Sequence, residues 1–512
     1  MAALHPYIFA ALSGVGLWLA FPGGGAMPQL LPLVLVPLLH AVAVGSLRQA
    51  TLVGLVGGLV HFLLLLYWIV IVLNTYGGLS WFFSLLALVL LASYMSIYIA
   101  IFAAITRFSL EALPPAINLW LLPALWVGLD WLRSILFSGF PWMDLGYALY
   151  NLPTVIQIAD LVGHYGLTYL IVMLNLLIFF FSKSRRNSLT QSQLILPVCL
   201  LLLVVVYSQR RMQQIQQQAN AAPHMTIGVV QGNIDQSVKW LPAQQKTTVD
   251  TYLRLSNSLT NSSAPSLIVW PETALPVYPL TEAQMAPLHT LLRQGDFALL
   301  SGVPLHETIN RNIKPKLYNS ALLLKPDGTT VGTYHKSHLV PFGEYVPLQD
   351  VFPFISPLVQ AVGNFSAGTI DQPLPRQEAK LGILICFESV FADLSRQWVK
   401  AGANLLVNLT NDAWYGRSSA PYHSLAMAVF RAVETRRSLV RSANTGISAF
   451  IEPTGTIAEQ SEIFIQWAKS AEISLLTGKT VWVRFGYLFA PACLTLSLII
   501  SASTLSIRRL RT

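Results

Sequence analysis

Three ionisable residues of different chemical type each follow an apolar stretch of the chain. Glu272 follows SLIVW within WPETA, Lys336 lies in YHKSHLVPFGEYVPL, and Cys386 ends the run KLGILIC. A thiol with a pKa near 8.5 is mostly protonated at neutral pH. A neighbouring carboxylate can accept its proton, and a neighbouring ammonium can stabilise both the thiolate and a developing oxyanion. The three residue types together therefore indicate covalent catalysis by a cysteine nucleophile.

Each of these residues also has an ordinary structural explanation. A cysteine that ends an apolar strand is often part of the core, a glutamate after Trp-Pro can cap a turn, and a lysine between histidines is commonly solvated. The chain has 3 cysteines, and Cys199 and Cys493 lie inside long apolar segments. No Cys/His spacing indicates zinc and no even set indicates a disulfide framework, so we expect neither a metal nor an organic cofactor. Cys386 is therefore the candidate nucleophile.

The hydrophilic part of the chain alternates between strand-like and helix-like segments. The predicted strands are 225–231, 266–270, 297–303, 317–325, 380–386, 403–409 and 438–451. The predicted helices between them are 242–260, 281–294 and 420–437. Apolar strands that alternate with helices indicate a layered α/β domain, in which sites form at the carboxyl ends of strands. We therefore expect Glu272, Lys336 and Cys386 to meet at such an edge.

The remainder of the chain has the composition of a membrane protein. The chain is 54% hydrophobic and 11% charged, whereas soluble proteins carry about 25% charged residues. About 20 apolar residues cross a hydrocarbon core of roughly 30 Å. The predicted spans are 5–22, 28–46, 52–73, 79–105, 117–137, 165–182, 193–208 and 486–505. We therefore expect a transmembrane bundle of eight helices, divided into residues 1–208 with seven helices, an extramembrane domain at 209–484, and a last helix with its tail at 485–512.

The basic residues of the membrane part predict its orientation. With a cytoplasmic N-terminus, the inner loops hold Arg48, Arg107, Lys183, Arg185 and Arg186, and the tail holds Arg508, Arg509 and Arg511. The outer loops at 23–27 and 74–78 contain no basic residue. By the positive-inside rule, the α/β domain then lies on the trans side, the periplasm of a bacterium. The N-terminus lacks the basic region of a signal peptide, so the first span is predicted to be retained.

Two further features of the charge pattern bear on the binding partners and on the membrane part. The net charge of +9 includes no basic block of the length that nucleic-acid binding requires, so no nucleic-acid partner is expected. Asp130 and Arg133 are three residues apart on the fifth predicted span and can pair on one face of that helix. Ionisable residues within a span are functional candidates by default, although this pair lies near the end of its span and can also serve to reach the interface.

Several motifs resemble those of the nitrilase superfamily, and in particular its membrane branch, the apolipoprotein N-acyltransferases. The motifs are VVQGNIDQSVKW, WPETA, YNS, HLVPFGEYVPL, LICFES and NLTNDAWYG in the hydrophilic part, with SGFPW at 138–142 in the membrane part. The resemblance spans nearly the whole chain. It implies a four-layer αββα sandwich, in which Glu272 is the general base, Lys336 stabilises the tetrahedral intermediate, and Cys386 is the nucleophile.

The resemblance also implies a set of supporting residues. Glu344 is implied as a second glutamate that holds Lys336 or assists proton transfer, and Glu388 as the acid just past the nucleophile. Phe387 departs from the tyrosine that some relatives carry, but its backbone N–H can still serve an oxyanion hole. The other implied positions are Trp240, Asn319, Trp414 and Gly146.

The implied reaction is a two-step acyl transfer in the bacterial inner membrane. A phospholipid, with phosphatidylethanolamine as the expected donor, acylates Cys386, and the α-amine of a lipoprotein's S-diacylglyceryl cysteine then takes the acyl chain. We expect a monomer, and we expect the apolar segment 351–363 to border the acyl site or cover it as a lid. Two alternatives remain open at this point: a membrane-tethered amidase or nitrilase that uses water as the acceptor, and a non-enzymatic transporter or scaffold.

Overall fold

The computed structural model describes residues 5–182, 189–237, 239–276, 282–307, 315–346 and 364–511. The chain divides into two compact units. The first consists of Met1–Val70, Ser80–Met212 and Arg484–Thr512, and the second of Ile71–Leu79 and Gln213–Val483. The short segment Ile71–Leu79 therefore interrupts the first unit in sequence and folds with the second.

The first unit is helical. Its helices are α1 (His5–Ala20), α2 (Val36–Val42), α3 (Leu47–Leu65), α4 (Trp68–Ile71), α5 (Trp81–Ala112), α6 (Pro115–Ile135), α7 (Ala159–Val162), α8 (His164–Phe181), α9 (Gln191–Ala221) and α15 (Phe489–Arg511). Among the described residues, six helical segments are long and apolar enough to cross a membrane, namely α3, α5, α6, α8, α9 and Gly486–Ile507, while α1 is apolar but shorter. The prediction of several apolar spans is confirmed, and the count of eight is not.

The second predicted span, 28–46, does not form one long helix. It begins with a short 3-10 turn at Pro28–Leu30, continues through further turns, and becomes helical only in α2. Buried Asn175 of α8 satisfies the backbone there, because its side chain accepts from Leu35 N at 2.8 Å and donates to Leu31 O at 2.7 Å. Polar backbone groups in an apolar unit need such partners, so the irregular stretch is stable only beside α8.

Asp130 and Arg133 form the predicted pair. Arg133 Nη2 lies 3.1 Å from Asp130 Oδ1, and both residues are buried within the first unit. Arg133 also contacts Asp144, whose other oxygen lies 2.9 Å from His164 Nε2. The pair is therefore part of a buried polar cluster within the first unit.

The second unit contains two six-stranded sheets. The strands are β1 (His224–Gln231), β2 (Leu267–Val269), β3 (Ala298–Glu307), β4 (Lys316–Leu324), β5 (Thr330–His335), β6 (Leu374–Arg376), β7 (Ala379–Ile385), β8 (Leu405–Thr410), β9 (Ser438–Ala443), β10 (Ala449–Ile451), β11 (Ile457–Gln460) and β12 (Trp467–Ser474). The first sheet has the order β12-β1-β2-β3-β4-β5 and the second the order β11-β10-β9-β8-β7-β6. Strands β1, β2 and β3 run parallel, as do β7, β8 and β9, and the outer strands of each sheet are antiparallel.

Helices cover the outer face of each sheet. On the first sheet lie α10 (Pro242–Ser263) and α11 (Glu282–Gly295), and on the second lie α12 (Ala392–Lys400) and α13 (Ala420–Thr435), followed by the short α14 (Val481–Arg484). The two sheets contact each other through β1 and β9, where Ser442 Oγ donates to the carbonyl oxygens of Val230 and Val269 at 3.2 Å each. The unit thus has the layer order helix, sheet, sheet, helix, as expected.

The sequence pattern identified the central strands and missed the outer ones. Buried strands such as β8, in which all 6 residues are buried, give the continuous apolar runs that the pattern detects. The predicted strand 438–451 is two strands, β9 and β10, which pair antiparallel across a short connection. Strands β5, β6, β11 and β12 were missed, because exposed and intermediate positions interrupt their apolar pattern.

Candidate active site

Glu272 lies on a tight turn just after β2. Its neighbour Thr273 has a φ of 49°, a left-handed conformation that a β-branched residue rarely adopts. The turn lies directly against Gly302 of β3, where an added Cβ would come within 2.4 Å of the Thr273 nitrogen. Gly302 N also donates to the Pro271 carbonyl oxygen at 3.1 Å. The backbone of β3 therefore determines where the Glu272 side chain leaves the sheet.

Asn319 of β4 joins two buried carboxylates. Its Nδ2 donates to Glu272 Oε1 at 2.7 Å and to Glu344 Oε1 at 2.8 Å. One amide group thus uses both of its hydrogens to hold two groups of like charge close together. Burial raises the pKa of Glu272, and the charge of Glu344 adds to the rise, while Lys336 and the Asn319 hydrogen bond oppose it. A raised pKa makes Glu272 a better proton acceptor than an exposed glutamate.

Lys336 follows β5 and is fully buried. Its Nζ lies 2.8 Å from Glu344 Oε2, and the same oxygen accepts from Val340 N at 2.9 Å. Burial lowers the pKa of Lys336, but Glu344, Cys386 and Glu272 together raise it above the ordinary value. Lys336 therefore stays charged at neutral pH, as a group that stabilises an oxyanion must.

Cys386 directly follows β7 and begins a 3-10 helix, Cys386–Val390. Its φ is 53°, a left-handed backbone conformation that residues other than glycine rarely adopt. Such strained residues persist where the surrounding structure fixes them, and they concentrate at functional sites. The residue as a whole retains some accessible surface.

The pKa of the Cys386 thiol shows which charged groups interact with it. Burial raises the pKa of its thiol to about 12; the Glu272 carboxylate adds to the rise, and Lys336 opposes it. The structure therefore brings Glu272, Lys336 and Cys386 together, with the acid and the ammonium acting in opposite directions on the thiol. A thiol with this pKa needs a base at the moment of attack, because very little thiolate exists beforehand.

Glu388 connects the nucleophile strand to the lysine loop. Its Oε1 accepts from Tyr334 OH at 2.8 Å, from Ser337 N at 2.7 Å and Oγ at 2.8 Å, and from His338 N at 3.1 Å. Its Oε2 accepts from Ile385 N at 2.7 Å. The residue is fully buried. Glu388 therefore fixes the residues that flank Lys336 and Cys386, and its contacts are those of a positioning group.

Two protein families match the two parts of the chain. Residues 13–177 match the family described as Apolipoprotein N-acyltransferase N-terminal domain, and residues 226–474 match Carbon-nitrogen hydrolase. An apolipoprotein N-acyltransferase from Geobacter metallireducens is 40% identical over 97% of this chain and 94% of its own length. The chain belongs to the apolipoprotein N-acyltransferase family. A relative of the same name from Methylococcus capsulatus is 31% identical over 94% of this chain and 92% of its own length.

The family predicted from the motifs is thereby confirmed. Among solved structures, an amidase from Nesterenkonia sp. matches 52% of this chain and 94% of its own, with 17% identity and a TM-score of 0.38. That similarity is too low to bear on what this member of the apolipoprotein N-acyltransferase family does.

The other residues that the family resemblance implied lie in different surroundings. Phe387 is buried, with its ring centroid 5.1 Å from that of Phe391. Trp240 is 45% exposed. Trp414 forms an edge contact with Tyr76 at 5.7 Å between centroids, within the second unit.

Gly146 belongs to the first unit, and the structure gives a packing reason for it. Its N–H donates to Thr168 Oγ1 at 3.0 Å, and an added Cβ would lie 2.5 Å from the His164 carbonyl oxygen. A glycine is required there by close approach of the backbone, whatever else the position does. The expected lid, 351–363, lies outside the described residues.

Sequence reasoning missed two residues that lie beside the nucleophile. Strands β7 and β8 are parallel with Ile385 opposite Leu409, so Thr410 lies next to Cys386. Thr410 Oγ1 donates to Asp412 Oδ1 at 2.8 Å, and Asp412 Oδ2 lies 2.8 Å from buried Arg441 Nη2. Thr410 also lowers the pKa of the Cys386 thiol, against the larger effect of burial. The signal was present, because NLTNDAWYG places polar residues at the end of a parallel strand.

A buried lysine was also missed. Lys239 precedes Trp240 in VVQGNIDQSVKW, and it is fully buried. Its Nζ donates to the Glu272 carbonyl oxygen at 3.2 Å and to Thr273 Oγ1 at 2.5 Å. Lysine is almost never fully buried without a partner, but nothing in the local sequence of this family member distinguishes Lys239 from an exposed lysine.

Proposed function

We propose that this protein is an apolipoprotein N-acyltransferase that moves a fatty acyl chain from a membrane phospholipid to a lipoprotein, through a thioester on Cys386. The observation that carries the proposal is the 40% identity, over 97% of the chain, to a relative of that name. The gathering of Glu272, Lys336 and Cys386 supplies the chemistry that such a transfer needs.

In the first half-reaction Glu272 accepts the thiol proton as the sulfur of Cys386 attacks the ester carbonyl of the phospholipid. Lys336 and the backbone N–H of Phe387 stabilise the oxyanion of the tetrahedral intermediate. The intermediate collapses as the ester C–O bond breaks, and Glu272 returns its proton to the departing lysophospholipid oxygen. The products are a lysophospholipid and an acyl thioester on Cys386.

In the second half-reaction the α-amine of an S-diacylglyceryl cysteine, at the N-terminus of an apolipoprotein, attacks the thioester. Glu272 accepts a proton from the amine, the C–S bond breaks, and Glu272 returns that proton to the departing thiolate of Cys386. An amide is more stable than a thioester, so this step runs downhill. The family favours this amine acceptor over the water of an amidase, because the similarity includes the helical part of the chain as well as the hydrolase-like part.

The proposal includes a membrane setting. Phosphatidylethanolamine is the proposed donor and the enzyme is proposed to act as a monomer in the inner membrane, with eight spans in residues 1–208 and 485–512. Residues 209–484 are the proposed catalytic domain in the periplasm. Both proposed substrates are embedded in a membrane, which explains why the catalytic unit is attached to several long apolar helices when one would suffice as an anchor.

Mass spectrometry of the intact protein tests the proposal. After exposure to phosphatidylethanolamine in mixed micelles, the protein should gain one fatty acyl group, and a diacylglyceryl peptide with a free α-amine should remove it. Cys386→Ala should abolish both the adduct and the transfer. The matched control replaces both other cysteines, Cys199→Ser and Cys493→Ser, and should keep both activities.

Two results contradict the proposal. Retention of acyl transfer by Cys386→Ala would exclude the thioester. Release of the acyl group to water at the same rate with and without the peptide would indicate the hydrolytic alternative.

A further inference from the structure

Two buried carboxylates and two buried lysines lie around the catalytic base, and the proposed reaction gives one of the lysines, Lys239, no role. Glu272 is the base, and Lys336 forms an ion pair with Glu344 at 2.8 Å. This leaves two buried carboxylates sharing one ammonium, a formal charge of −1. Burying an uncompensated charge is costly, so a second cation is expected close by. Lys239 is that cation.

The contacts of Lys239 fall on the turn that carries the base. Its Nζ donates to the main-chain oxygen of Glu272 at 3.2 Å and to the side chain of the next residue, Thr273, at 2.5 Å. Thr273 has a strained φ of 49°, and this conformation determines the direction of the turn. A residue in that conformation relaxes unless its surroundings hold it, and Lys239 holds both its side chain and the preceding carbonyl.

We propose that Lys239 is a positioning residue for the catalytic base: it holds the Glu272–Thr273 turn in place and compensates the charge of the Glu272 carboxylate. This inference rests on the proposed function. Among the described residues, the charged groups that act on Glu272 are the cations Lys336 and Lys239 and the carboxylate of Glu344. The titratable groups Cys386 and Tyr415 face it as well. Burial lowers the pKa of Lys239 to about 8 and the charge of Glu272 raises it, which agrees with electrostatic attraction between the two groups.

The test compares Lys239→Met, which keeps the length of the side chain and removes its charge and donors, with the wild-type protein. The measured quantity is the rate of acyl-adduct formation on Cys386 from phosphatidylethanolamine, as a function of pH. The rate rises with pH as Glu272 loses its proton. Loss of a neighbouring cation raises the pKa of Glu272, so this rise should move to higher pH by roughly one unit. The adduct rate at pH 7 should fall about tenfold or more.

Two further variants separate this role from a general loss of stability. Lys246→Met removes an exposed lysine from α10, with 80% of its side chain accessible, and should leave the rate and the pH profile unchanged. Thr273→Val removes one acceptor of Lys239 and keeps its charge, so the rate should fall while the pH profile stays in place. This second variant also tests the proposal if Lys239→Met fails to fold.

The possible results are distinct. A wild-type rate and pH profile in Lys239→Met, or a wild-type rate in Thr273→Val, would overturn the positioning role. A lower rate in Lys239→Met with an unshifted profile would show that its charge does not act on Glu272, and would overturn the proposal. If the wild-type protein forms no adduct at all, the proposed function fails and this inference fails with it.

Discussion

The five hydrogen bonds of Glu388 allow the positioning of the nucleophile to be tested apart from the chemistry. Both oxygens accept from donors, and Ile385 N–H is the only described donor to Oε2, at 2.7 Å. In Glu388→Gln the amide oxygen can replace Oε1, but the amide nitrogen then faces the Ile385 N–H, donor against donor. The substitution keeps the size of the side chain and breaks the connection between β7 and the lysine loop.

The size of the expected stability loss follows from the hydrogen bonds that Glu388→Gln removes. One hydrogen bond to a charged acceptor contributes about 1.5–3 kcal/mol, and a buried donor left unsatisfied adds to its loss. We therefore expect the free energy of unfolding to fall by about 3 kcal/mol in Glu388→Gln. For a unit of this size the unfolding midpoint should fall by roughly 6–12 °C. A displacement of the catalytic groups by about 1 Å is enough to lower the rate on the order of 100-fold.

Two measurements on the same sample check this expectation. The thermal unfolding midpoint reports stability, and single-turnover acyl-adduct formation on Cys386 reports positioning. The matched control is Asp393→Asn, which neutralises an exposed carboxylate on α12 that pairs with Arg396 at 2.6 Å. Exposed pairs contribute about 0–1 kcal/mol, so both measurements should remain near wild type.

The result that would refute the reasoning is a Glu388→Gln protein with the wild-type midpoint and the wild-type adduct rate. A lost adduct rate with an unchanged midpoint would instead make Glu388 a participant in the chemistry, contrary to the positioning role derived from its contacts.

Three further predictions concern the nucleophile and its neighbours. Because the thiol pKa is about 12, alkylation of Cys386 by a small neutral reagent should accelerate about tenfold per pH unit from pH 7 to 9 without a plateau. In Glu272→Gln the negative charge that raises this pKa is gone, so alkylation at pH 9 should become faster while acyl transfer falls; slower alkylation would contradict the charge effect. Asn319→Leu removes the amide between Glu272 and Glu344, raises the pKa of Glu272, and should move the rise of the adduct rate to higher pH by roughly one unit. An unchanged pH profile in Asn319→Leu, measured by the same mass assay, would show that the amide is dispensable.

The sequence identified the parts of the fold that depend on local pattern. The strands that precede Glu272 and Cys386 are continuous apolar runs because both faces are buried, and their carboxyl ends necessarily place polar residues at one edge. Glu344 and Asn319 came from the family resemblance, because nothing local shows that a single amide joins two distant carboxylates.

The features that the sequence did not reveal depend on contacts between distant residues. The second span is interrupted because Asn175, 140 residues away from Leu35, satisfies its open backbone groups. Lys239 is buried because Glu272 and Thr273 accept its hydrogens, 33 and 34 residues away. Periodicity and motif spacing describe the chain near each residue, and these partners become neighbours only once the layers have assembled.

The segment Ile71–Leu79 has a consequence for anyone who would isolate the catalytic half of the protein. A fragment that contains only residues 213–483 would lack the nine residues of Ile71–Leu79, which belong to the same compact unit. The Tyr76 ring lies against Trp414, and Ile71 approaches Gly416, so removing them uncovers the connection that follows β8. An excised hydrolase-like half would therefore lack side chains that pack next to the strand bordering Cys386.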